Sequence, residues 1–350
     1  MKLKILFIQI NIFLVMGLST KVYCSRSIFR PKDPLMPELV TCWKGDNKTY
    51  SFKDQYLEEE AIFKKFDHKY FKSHSLPKGP IAYRNRPDQK VTGQKLNQLA
   101  EKLLCQLYEH KVNYDDFVVL KSDDFNRKTV SGNLVLKYKD YPFVLKLFIE
   151  TPESFTKPFS KGWQPACFFL MSGGINRYLS GLTRIKNLEW IKSQINQNPE
   201  YANLIDFPRK WFWMPKNNRW FELTGKNLCK PVQKILLPSI YGIIADAINK
   251  DEDKKVFEDD PKFGLKLSYY LNSRLDPNFE NFMKEKETGK IVIVDTEHFP
   301  SMVGLKQPVY FQSYSDWYLK LAFKCLSDRL TRHKSFRRSI QFKPIPTIEL

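Results

Sequence analysis

Leu96, Leu99, Leu103, Leu104 and Leu107 recur at spacings of three and four, which places them on one helical face and predicts a helix from about Gly93 to His110. Beyond it the period falls to two. Phe117–Leu120, Leu134–Tyr138 and Phe143–Ile149 read as strands, the last two joined by the short turn Lys139-Asp140-Tyr141-Pro142. These three make a small antiparallel sheet. Leu179, Leu182, Ile185, Leu188 and Ile191 then restore a helical stripe over roughly Ile175 to Gln194. Two strands follow, Lys210–Met214 and Arg219–Leu223, around the turn Pro215-Lys216-Asn217-Asn218. Leu237–Ala247 and Phe263–Asn272 read as helices, Lys290–Val294 as a strand after the turn at Thr288-Gly289, and Tyr314 to Thr331 as a closing helix.

Strands first and helices later predict an α+β fold of two lobes. Residues 25 to 90 have weak periodicity and many Pro, Lys and aromatic residues, so they read as an irregular, partly helical leader without an assigned function. No repeat, heptad or low-complexity tract is present, which argues against a fibrous or solenoid protein.

The amino terminus changes the picture. Lys2 and Lys4 precede an apolar run from Ile5 to Leu18, and a polar stretch ends at Val22-Tyr23-Cys24-Ser25. That order is the signature of a cleaved export signal, residues 1–24. The run is too short for a membrane span, and Gln9 and Asn11 interrupt it. No other stretch is apolar enough to span a bilayer. The formal charge of the whole chain is +19, and removal of three lysines with residues 1–24 leaves +16. A surplus of this size favours anionic partners: nucleotide, nucleic acid, acidic protein or anionic lipid. Arg329, Arg332, Arg337 and Arg338 concentrate it in a basic run suited to an anionic surface. Cys42, Cys105, Cys167, Cys229 and Cys325 lie beyond the signal without any C-x-x-C pair, which argues against a structural zinc site.

The chemistry concentrates in Arg274-Leu275-Asp276-Pro277-Asn278-Phe279-Glu280-Asn281 and in the strand Ile291-Val292-Ile293-Val294 that ends on Asp295. A plain turn at Asp276-Pro277-Asn278 and a strand-ending aspartate is the simpler account. The D-x-x-x-x-N spacing, with an apolar strand delivering a second aspartate, resembles the protein-kinase-like superfamily. The resemblance covers roughly residues 115 to 330. It implies a small antiparallel-sheet lobe over 115–228 and a reduced helical lobe over 229–350, preceded by an extension over 25–114. It further implies ATP and Mg²⁺ as cofactors, Asp276 as catalytic base, and Asn281 and Asp295 as metal ligands. Lys146, on the third strand, would hold the nucleotide phosphates, and Glu189, on the next helix, would pair with it.

Departures accompany the matches. A glycine-rich phosphate loop is missing between the first two strands, Arg274-Leu275 stands before the catalytic aspartate, and Asp295-Thr296-Glu297 resembles the aminoglycoside phosphotransferase branch. Three hypotheses follow: an exported kinase that phosphorylates a protein or small-molecule hydroxyl, an inactive pseudokinase or basic binding module, and a secreted protein unrelated to kinases.

Overall fold

The computed structural model describes residues 38–43, 49–53, 67–150, 181–218, 220–227, 230–252, 256, 260–298 and 337–339. All belong to the compact unit Met36–Leu350. The signal segment, the Tyr314–Thr331 helix and the basic run from Arg329 to Arg332 lie outside the described residues. The elements in chain order are strands β1 (Glu38–Trp43) and β2 (Thr49–Lys53), helix α1 (His68–Ser73), strands β3 (Pro80–Tyr83) and β4 (Arg86–Thr92), and helix α2 (Gly93–Tyr108). Strands β5 (Phe117–Lys121), β6 (Phe125–Asn126), β7 (Ser131–Tyr138) and β8 (Phe143–Ile149) precede helices α3 (Arg184–Ile195) and α4 (Pro199–Leu204). Then come β9 (Ile205–Asp206), β10 (Lys210–Trp213), β11 (Trp220–Asn227), β12 (Lys230–Pro238) and β13 (Ile240–Asp246). Helix α5 (Phe263–Tyr270) and strands β14 (Phe282–Lys284), β15 (Ile291–Ile293) and β16 (Arg337–Ser339) complete the described chain. The architecture is mixed α+β with largely antiparallel sheets.

The sheet that matters for the site runs β10-β13-β8-β7-β5, with β6 also paired to β7, and every pairing in it is antiparallel. Alternation decides its two faces. Phe143, Leu145 and Leu147 of β8 and Leu134, Leu136 and Tyr138 of β7 are buried in one core with Leu96, Leu99, Leu103 and Leu107 of α2. Helix α2 starts where Thr92 Oγ1 accepts from Lys95 N at 3.2 Å, and Tyr138 Oη donates to Leu96 O at 3.2 Å. Covering one face of β8 with α2 turns Lys146 to the other.

A second core joins Leu188, Ile191 and Ile195 of α3 to Phe263 and Leu267 of α5, together with Leu271, Leu275, Phe282, Ile291 and Ile293. Here β15 pairs antiparallel with β14 and parallel with β9.

Three sequence expectations are corrected. Leu237–Ala247 is not a helix: β12 ends and β13 begins within it. Strand β13 sits between β10 and β8, and Ile240, Tyr241, Ile243 and Ile244 are all buried, so neither period of two nor of 3.6 marks it. The expected β10–β11 hairpin is also absent. Strand β10 pairs with β13, while β11 joins β1 and β12 in a sheet ordered β12-β11-β1-β2-β16. Thirdly, the leader carries regular elements. Its β3–β4 hairpin is tied down by Arg84, which donates to Glu285 Oε1 at 2.7 Å and to Phe207 O at 2.6 Å and pairs with Asp206. The helix expected over Ile175–Gln194 is observed from Arg184; residues 181–183 precede that helix, and 175–180 lie outside the described residues.

Candidate functional site

Between the two cores, β8, α3, β10, the segment after β15 and the loop that carries Asp276 bring six ionisable side chains together. Lys146 Nζ donates to Asp295 Oδ2 at 2.7 Å. Arg184, the first residue of α3, donates through Nε to Asp295 Oδ1 at 2.9 Å and through Nη2 to Asp295 Oδ2 at 3.2 Å, and it also pairs with Glu297. Lys210 Nζ reaches Val294 O at 2.9 Å and Thr296 Oγ1 at 2.7 Å, and that hydroxyl in turn donates to Arg184 O at 2.7 Å. The segment 294–296 is therefore held from two sides, by α3 and by β10.

The loop with Asp276 docks against the same segment. Leu275 is fully buried, and its carbonyl accepts from Ser268 Oγ at 2.7 Å. Asn187 of α3 donates through Nδ2 to Arg274 O at 3.2 Å and to Thr296 O at 3.0 Å, bridging the loop to the strand end. Within the loop, Asn278 N donates to Asp276 Oδ1 at 3.0 Å and Asn281 Nδ2 to Asp276 O at 3.2 Å. Asn281 O accepts from Val294 N at 2.9 Å, which sets Asn281 beside Asp295. The turn Asp276-Pro277-Asn278 thus exists, but it holds its aspartate against a cluster of charge.

The electrostatics follow from burial and crowding. Burial pushes the Asp276 carboxyl up to about 7; the amide of Asn278 opposes the rise, and the negative charges of Asp295 and Glu297 add to it. Burial alone would raise Asp295 as well, yet Arg184 first, then Lys146 and Lys210, hold it well below the usual carboxylate range. Burial also pushes Lys210 down to about 7 and lowers Lys146, against which Arg184 stands as a like charge.

Four of the five residues singled out in the sequence therefore meet: Lys146, Asp276, Asn281 and Asp295. Glu189 does not. It lies on the exposed face of α3 with Lys186 and Ser193, where it accepts from Tyr70 Oη at 2.7 Å and sits 3.0 Å from His74 Nε2. The partner of Lys146 is Asp295, because the buried face of α3 presents Arg184 to the site.

Sequence reasoning missed Arg184 and Lys210, though each carried a signal. Arg184 is in register with the buried stripe Leu188, Ile191 and Ile195, and Lys210 shares a strand face with buried Phe212. A charge in phase with a buried face needs a buried partner.

A magnesium ion is what the resemblance would place on Asn281 and Asp295. Asp295 Oδ1 accepts from Arg184 Nε and from Glu297 N at 3.1 Å, and Oδ2 accepts from Lys146 and Arg184. Magnesium needs carboxylate lone pairs and a site free of other cations. Asp295 in this arrangement offers neither, so the donor set does not fit the ion. Among the described residues, no group of three His, Cys, Asp or Glu side chains is placed to hold a metal. Among them, too, no helix is long and apolar enough to cross a membrane.

No protein-family model, no curated protein and no solved structure matches the chain.

Proposed function

We propose that this chain is an exported, two-lobed protein-kinase-like phosphotransferase that takes ATP and passes its γ-phosphoryl group to a hydroxyl of a protein or small-molecule acceptor. The observation that carries the reading is the convergence of Lys146 with Asp276, Asn281 and Asp295, which lie in a distant part of the chain, with Lys146 Nζ 2.7 Å from Asp295 Oδ2. In the reaction the acceptor oxygen bonds to the γ-phosphorus, the bond from that phosphorus to the ADP oxygen breaks, and Asp276 takes the hydroxyl proton. A half-buried carboxyl whose affinity for a proton is balanced near neutrality suits that role. Lys146 and Arg184 supply fixed positive charge for the phosphate oxygens.

A second reading, a pseudokinase that binds nucleotide or a partner without turnover, is favoured by one observation: Arg184 and Lys146 already neutralise Asp295. Radiolabel transfer from ATP by the full chain to a mixture of protein and sugar acceptors separates the two. Transfer that disappears in Asp276→Ala supports the kinase. ATP binding without transfer selects the pseudokinase, and no ATP binding at all removes the kinase and leaves the second reading only in its partner-binding form.

A further inference from the structure

The cations around Asp295 have donors to spare. Arg184 uses Nε and Nη2, but Nη1 is buried and meets no hydrogen-bond partner among the described residues. Its guanidinium is held by Asp295 and Glu297 and by the ring of Phe148, 5.2 Å from Cζ, so the unused N–H is fixed in place. A buried donor left without an acceptor is uncommon and is a place for a ligand atom. Lys146, with three ammonium hydrogens, makes one hydrogen bond among the described residues, to Asp295. The Lys146 and Asp295 side chains are 21% and 24% exposed, so a ligand can reach them from solvent. Three basic side chains, Lys146, Arg184 and Lys210, crowd Asp295 and Glu297 at the point where a divalent cation does not fit.

We propose that the site binds the phosphate chain of a nucleoside triphosphate directly and without a divalent cation, with Arg184 and Lys146 bridging the phosphate oxygens to Asp295. Arg184 then occupies the electrostatic position of a metal: it is bound to the carboxylate on one side and donates to phosphate on the other. A planar guanidinium can do both at once, because its five N–H groups point in fixed directions. This inference rests on the nucleotide-binding reading above and goes further in naming the metal-free form as the ligand.

The test is calorimetric titration of the full chain with ATP and with adenosine, in EDTA and in excess MgCl₂. ATP in EDTA is expected to bind at least as tightly as in magnesium, and more tightly than adenosine. Arg184→Met is expected to weaken ATP in EDTA by about 10- to 100-fold, the range for a hydrogen bond to a charged group, while adenosine binding is kept. Circular dichroism checks that the variant is folded. If it is not, Arg184→Lys decides, because it keeps the charge beside Asp295 and loses the fork: unchanged ATP affinity in EDTA would overturn the proposal. ATP binding that requires magnesium would overturn it too, while leaving the kinase-like reading standing. Absence of binding for both ligands in both buffers would instead remove the kinase-like reading itself.

Discussion

Replacing Asp276 by asparagine keeps the shape of the side chain and removes its ability to ionise. In the folded chain the carboxyl is pushed from 3.8 up to about 7, chiefly by burial. Between those two values the unfolded chain has released the proton and the folded chain still holds it, so stability falls as pH rises. The difference of roughly three units, at about 1.4 kcal/mol each, gives about 4 kcal/mol. That is an upper bound, since the half-buried carboxyl keeps some contact with water. Urea unfolding of both proteins from pH 4 to 8.5 measures it. The stabilities should differ least at pH 4, close to the unfolded value of 3.8, where the folded carboxyl is protonated and the unfolded one about half so. Asp276→Asn should then gain on the native chain up to about pH 7, after which the gap stays level. A gap that does not change with pH would show that Asp276 is ionised throughout the range. It would then have no claim to be a base balanced near neutrality, and the assignment of its role would fall with it.

Arg84→Ala should lower stability at neutral pH by about 3–5 kcal/mol, because it leaves the fully buried Glu285 charged with Asn85 and Thr288 as its remaining side-chain donors among the described residues; chemical denaturation measures it, and a change under 1 kcal/mol would contradict the pairing. Gly181→Ala places a Cβ 2.1 Å from Tyr241 Oη and 2.9 Å from the Phe148 ring, so a loss of about 1–3 kcal/mol and a weaker hold on ATP are expected together. Glu189→Ala should cost at most about 1 kcal/mol, since its carboxylate is half exposed where it meets His74, and should leave ATP affinity unchanged. A marked loss of ATP affinity in that variant would put Glu189 back beside Lys146.

The parts of the fold legible in the sequence are those whose information is local. Leu96 to Leu107 repeat with the helical period because one face of α2 is wet and the other covers the sheet, and the observed helix runs Gly93–Tyr108 against an expected end at His110. Strands β7 and β8 alternate on the core face for the same reason. Strand β13 was misread because a central strand covered on both faces has no alternation to show. The route of β11 away from β10 was hidden as well, since its partners β1 and β12 lie in other parts of the chain.

For the site, the sequence by itself determined the chemical groups: Lys146 on an apolar strand, Asp276 and Asn281 in one loop, and Asp295 at the end of β15. Their spacing follows from short-range geometry, since a loop and a strand end can be aligned only over a few residues. Tertiary structure decided which charges face one another. Arg184 reaches Asp295, and Lys210 reaches Thr296, only after α3 and β10 have docked on the segment that follows β15. Glu189 turns away because α3 is oriented by its buried stripe, and that stripe carries Arg184 inward and Glu189 outward. Coulomb energy depends on distance and burial, neither of which the order of residues contains. The sequence therefore pointed to four of the clustered residues, and not to Arg184, Lys210 or the balance of charge.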